Sequence, residues 1–169
     1  MRTASRGQSI RPRSASLAGF SRTELGCMLG SGMTAIDRLN ELLEAERAGV
    51  DTLSRLFPEA RSPEMQKLFE EVRNDEAWSC AGLVRSIKAM GGTISEKKGD
   101  FADKVMSEPT LTARLRFLNR GQGWVVKRLD GLLGEMLPAS VGSFLEEMKT
   151  RHLGNIEACE RLASLSPER

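Results

Sequence analysis

Four apolar helical stripes in this chain are each interrupted once, near the middle, by a residue able to hold a metal ion or a proton. His152 interrupts Leu145, Met148, Ile156, Cys159 and Ala163. Glu46 interrupts Leu39, Leu42, Leu43, Val50 and Leu53, and Glu76 interrupts Met65, Phe69, Val72 and Leu83. Gln122 interrupts Leu115, Leu118, Val125 and Leu129. A polar group in a helical core is costly unless it is paired or coordinated. One such group on each of four stripes, at similar depth, predicts a shared site. Two carboxylates and an imidazole would suffice for one divalent ion, but are too few to offset the charge of two.

The elements that must position these residues are four long helices. The first begins at Thr34, where Thr34 and Asp37 form a capping box with the shorter acid, and ends before Pro58. The second has Ser62 as N-cap and Pro63 in the first helical position, and stops at Gly91-Gly92. The third runs from Pro109-Thr110 to about Met136, and the fourth from about Ala139 to Ala163. Short turns at Pro58–Arg61 and around Pro138 join the helices in pairs. A much longer link, Gly91 to Glu108, joins the pairs and holds a short helical piece at Phe101–Met106. The expected fold is all-α, an antiparallel four-helix bundle with one long crossover between helices two and three.

The stretch Leu39-Asn40-Glu41-Leu42-Leu43-Glu44-Ala45-Glu46 resembles the first helix of bacterioferritin- and rubrerythrin-type proteins. Two hairpins joined by a long crossover is also the connectivity of ferritin-like bundles. The resemblance spans residues 34–163. It implies a di-iron site in which two helices give one Glu each and two give a Glu-x-x-His pair. Carried over, it places Glu46, Glu76 and His152 at ligand positions. The remaining positions depart from the pattern: Ser79 stands where a His belongs, Gln122 at or near a Glu position, and Lys149 at the other Glu position. The resemblance therefore implies a degenerate site in which the Lys149 ammonium projects among the carboxylates and neutralises them.

Three functions follow as expectations. The first is a non-catalytic binding or structural role, with Glu46, Glu76, Gln122, Lys149 and His152 as a buried polar network. The second is a mononuclear Fe- or Mn-dependent redox protein using Glu46, Glu76 and His152 as ligands, with Ser79, Gln122 and Lys149 lining the site. The third is a module that forms a homodimer along a helical face, with Trp78 or Trp124 at its edge. A complete di-iron oxidase is disfavoured by the ligand count, and the chain has no Tyr to carry a radical. Gly121 and Gly123 flank Gln122 in mid-helix, at a cost of about 1 kcal/mol each against alanine. They imply close helix packing or a small cavity beside Gln122.

Composition bounds the rest. The net charge of +2 is uneven: residues 1–32 carry Arg2, Arg6, Arg11, Arg13 and Arg22 against Glu24, so the remainder is −2. The bundle is mildly acidic, which gives no support for nucleic-acid binding. Residues 1–33 read as a disordered Arg/Ser-rich tail, with a targeting peptide or a basic arm as alternatives. Residues 164–169 read as a C-terminal tail. Cys27, Cys80 and Cys159 have no disulfide or zinc-clip spacing, which implies a reducing compartment and a cytoplasmic protein. No apolar run is long enough to span a bilayer.

Overall fold

The computed structural model describes residues 32–165. Five α-helices and one 3-10 turn make up the regular structure there: α1 Ala35–Leu56, the turn Phe57–Glu59, α2 Pro63–Ala89, α3 Phe101–Ser107, α4 Leu111–Leu133 and α5 Ala139–Leu165. The expected start signals are in place. Thr34 Oγ1 accepts from the Asp37 amide while Asp37 Oδ2 accepts from the Thr34 amide, which completes the capping box. Ser62 and Thr110 cap α2 and α4 in the same way, each accepting from the amide three residues on. Gly91, at φ 74°, ends α2 in the left-handed region that glycine enters without penalty. The Gly92 amide then reaches back to the Ile87 carbonyl at 2.9 Å. The last helix continues to Leu165, past Ala163, so Ser164 is helical and not part of a tail. The arginine-rich N-terminal segment lies outside the described residues.

The short turns pair α1 with α2 and α4 with α5. Contacts of α1 with α4, and of α2 with α5, close the four long helices into a bundle, and α3 lies against α1 and α4. The apolar interior forms two clusters. One gathers Leu39, Leu42, Leu43, Leu83, Ile87, Leu129 and Leu145, and the other Leu53, Phe69, Val72, Leu115, Leu118 and Cys159. Along each long helix the polar interruption falls between residues of the first cluster and residues of the second.

Two stripes differ from their sequence assignment by one residue. On α1, Gly49 is buried and Val50 only half-buried. On α5, Asn155 is buried and Ile156 half-buried. A one-residue step turns an α-helix by about 100°, so the neighbour of an apolar residue can hold the inward position when the packing selects it. The crossover holds the expected short helix and is tied to α1. Residues 93–98 are fastened to the outer face of α1, while the side chains of residues 96–100 stay exposed. Asn40 Nδ2 donates to the Thr93 carbonyl at 2.9 Å, and Asn40 Oδ1 accepts from the Ser95 amide at 2.7 Å. Arg47 Nη1 donates to the carbonyls of Ser95 and Lys97, and Lys98 pairs with Asp51 at 2.7 Å. The spacing of Asn40, Arg47 and Asp51 keeps them along one side of the helix, which makes α1 the anchor for the link. Among the described residues no helix is long and apolar enough to cross a membrane.

Candidate metal centre

Glu46 from α1, Glu76 from α2 and His152 from α5 converge in the interior. One potential ligand atom from each lies within 4.8 Å of the others, and all three residues are buried. Two donors bound to one ion at about 2.1 Å are at most about 4.2 Å apart, so closure around an ion needs only small side-chain movements.

The histidine is oriented for ligation. His152 Nδ1 lies 3.0 Å from the Met148 carbonyl one turn earlier. A carbonyl only accepts, so Nδ1 carries the hydrogen and donates. That leaves Nε2 as the ring nitrogen facing Glu46 Oε1, 3.1 Å away. Fixing one ring nitrogen on a backbone carbonyl so that the other is free to bind is the usual arrangement of metal-ligating histidines.

The carboxylates are electrostatically loaded. Burial pushes Glu46 up from the ordinary 4.5 to about 7, against the opposing pull of its contacts with Glu76 and Ser79. Burial and the adjacent Glu46 charge push Glu76 well above its ordinary value, with His152 opposing. Without a cation the pair retains protons near neutral pH, because two adjacent buried carboxylates cannot both ionise cheaply. Glu46 Oε2, Ser79 Oγ and both amide atoms of Gln122 are buried and make no well-formed hydrogen bond, although Ser79 lies against Glu46 and Cys159 against Gln122. Orphaned polar atoms at this density are uncommon in protein interiors. A network that served only packing would leave fewer of them.

Gly49 shapes the site in a way the sequence analysis missed. A Cβ built there would lie 2.5 Å from Glu76 Oε2 and 2.8 Å from its carboxyl carbon. The glycine one turn after Glu46 lets the Glu76 carboxylate lie against the α1 backbone. The available signal was a glycine at i+3 from a core glutamate on an otherwise favourable helix. Asn155, three residues after His152 on the inward side of α5, was missed as well, and its Nδ2 lacks a partner.

Lys149 is not a site residue. Its ammonium pairs with Asp130 on α4 at 2.5 Å, and the side chain is 34% exposed. The position is one turn before His152, but four flexible methylenes take the charge outward to a carboxylate that water can also reach, at a smaller desolvation cost than the core would impose. Ser79 remains beside Glu46, and Gln122 shares a wall with Glu76 in a neighbouring cleft. The site thus joins Glu46, Glu76 and His152, with Ser79 and Gln122 beside them and without the lysine.

The donor set fits one divalent ion and not two. Two carboxylates offset the charge of a single dication, and with one imidazole they leave coordination positions open for water or a ligand. Among the described residues no further carboxylate joins this group, and the chain has no second histidine for another ion.

Trp78 and Trp124 divide between core and surface. Trp78 packs on Phe144 with ring centroids 5.2 Å apart, beneath the Arg151 guanidinium at 4.0 Å, so it belongs to the α2–α5 contact. Trp124 is 39% exposed, with Arg128 over its ring. Glu147 pairs with Arg151 at 2.7 Å on the outer face. Gly121 carries the close packing expected of it: a Cβ there would come within 2.4 Å of the Phe101 ring. Gly123 faces open space.

The model of a family described as a domain of unknown function, DUF6306, matches residues 34–161. Among solved structures the chain is similar to "ferritin like, diiron-carboxylate proteins" from Bacillus anthracis str. Ames. That match has a TM-score of 0.64 at 18% identity and covers 76% of this chain and 94% of the other. At that identity the likeness establishes the ferritin-like fold. No curated protein matches the chain.

Proposed function

The chain belongs to the DUF6306 family, and on its ferritin-like bundle we propose that it binds a single divalent metal ion through Glu46, Glu76 and His152. The observation that carries this reading is the convergence of the three buried ligand atoms, with His152 Nε2 facing Glu46 and no lysine among them. The purely structural network loses support for the same reason, because the cation that would have neutralised the two carboxylates pairs elsewhere. Carboxylate-rich donor sets with one imidazole suit Mn(II) and Fe(II). When bound, such an ion would supply Lewis acidity and, as iron, one-electron redox chemistry. The protein's own contribution is to orient His152 through Met148, to hold the carboxylates in a desolvated belt, and to give up the retained protons as the cation takes their place.

The test is elemental analysis after anaerobic incubation with Fe(II), or with Mn(II), followed by desalting. About one ion per chain is expected, falling to background in His152→Leu. Two ions per chain would overturn the mononuclear reading, and none under any condition would overturn metal binding.

A further inference from the structure

The three ligands are not equally deep. A cleft of about 540 Å³ lies between α1, α4 and the crossover helix α3, and Glu76 is among its lining residues. Glu46 and His152 are not, so Glu76 is the ligand that the cleft meets first. Glu76 keeps an exposure of 3%, whereas Glu46 and His152 have 0%. Gly49 lines the same cleft, and a Cβ there would lie 2.5 Å from Glu76 Oε2. The cleft therefore ends at the α1 backbone with the Glu76 carboxylate against it, where no side chain of residue 49 stands in the way. Two other clefts, one between α2 and α5 at Gly82 and Phe144 and one along α5 at Ile156 and Ser164, are lined by none of the three ligands.

An ion bound in the interior has to cross the wall of the bundle, and the lining of the opening decides how readily it does so. Much of this lining is apolar, with Ala45 on α1, Phe101 on α3, and Phe117 and Trp124 on α4. Such side chains offer a hard dication no oxygen to bind, so they do not compete with the carboxylates at the end of the cleft. The two bases of the lining both have carboxylate partners: Lys104 pairs with Asp100 at 2.8 Å, and Arg120 lies 3.9 Å from Glu108. Their charge is offset, so they put up little repulsion against an approaching cation.

We infer that this cleft is the passage by which the divalent ion enters and leaves the bundle, with Glu76 as the first ligand to take it and Glu46 and His152 completing the set. The inference rests on the metal-binding reading. Ala45 and Phe101 border the passage without being ligands. Ala45 is half-buried and precedes Glu46 by one residue, a step that turns its side chain by about 100° from the ligand's direction. A larger side chain at 45 narrows the passage. Phe101 is seated on the backbone of α4 at Gly121, and loss of its ring widens the passage from the opposite side. A residue that only borders the passage alters the barrier to entry and exit alike. Both rates then move by the same factor, and Kd, their ratio, is preserved. A residue that supports the ligands would change Kd instead.

The probe is Mn(II) on the full chain. Release from the loaded protein is followed by stopped flow into an excess of a colorimetric chelator, and Kd is taken from equilibrium titration against the same chelator. Ala45→Phe should slow release at least fivefold, and Phe101→Ala should speed it at least threefold, each with Kd within twofold of the parent chain. Phe101→Ala removes atoms and needs no new space, so its release rate decides alone should Ala45→Phe not fold. Release rates within twofold of the parent would overturn the passage, and so would a change in release matched by an equal change in Kd, which leaves entry unaffected. A parent chain that binds no Mn(II) would overturn the metal-binding reading itself, a result distinct from binding with unaltered release.

Discussion

Removing metal should make this protein less stable as the pH rises from about 5 to 8. In the folded state Glu46 holds its proton up to about 7, whereas an unfolded glutamate releases it near 4.5. Between those values the native state binds more protons than the unfolded state, so unfolding free energy falls with pH. Each pH unit across that window is worth about 1.4 kcal/mol for one group. Glu46 alone therefore accounts for about 3 kcal/mol between full protonation and full ionisation, and the raised Glu76 acts in the same direction. That is a large share of the roughly 5–15 kcal/mol that stabilises a typical domain. The carboxylates held low by their partners, Asp37, Asp51 and Asp100, act in the opposite sense, but their loss lies at and below the ordinary carboxylate range, outside this window. Urea unfolding in EDTA at pH 5, 6, 7 and 8 measures the effect, and the Glu46→Gln/Glu76→Gln double variant should flatten it. With saturating Mn(II) the slope should reverse, because a bound ion stabilises the ionised carboxylates and its affinity grows as they deprotonate. A metal-free stability that is level or rises across pH 5–8 would refute the reasoning that these carboxylates are protonated in the native core.

Two further perturbations probe the site's surroundings. Lys149→Ala should change stability by less than about 1 kcal/mol and leave Mn(II) affinity within about twofold, since the lysine pairs with Asp130 in a solvent-accessible position; a loss or gain beyond tenfold would return Lys149 to the site. Gly49→Ala places a methyl against the Glu76 carboxylate and should cost about 1–3 kcal/mol in chemical denaturation while weakening Mn(II) binding; a variant unchanged in both would show that the close approach of Glu76 to α1 is unimportant.

The sequence determined the helices and much of the site because both follow from local rules. Capping residues at Thr34, Ser62 and Thr110, breakers at Pro58, Gly91 and Pro138, and the 3.6-residue period fix where helices begin, end and face. A polar residue inside an otherwise apolar stripe then has to face the core, which is why Glu46, Glu76, Gln122 and His152 were legible. Side-chain direction beyond Cβ is not a local property. Lys149 has the helical phase of a ligand position, yet its charge lies with Asp130, because only the packed bundle decides which carboxylate it can reach with the smaller desolvation cost. The exact phase of a stripe is equally a matter of packing, as Gly49 and Asn155 demonstrate by taking the inward places assigned to Val50 and Ile156. The crossover is the clearest case. Its residues have no period to read, and only the tertiary structure pins them to α1 through Asn40 and Arg47 and brings Phe101 onto Gly121 to wall the cleft beside Gln122. The contacts of Asn40 and Arg47 with the crossover join residues roughly fifty apart in the chain, so no local window of sequence contains them.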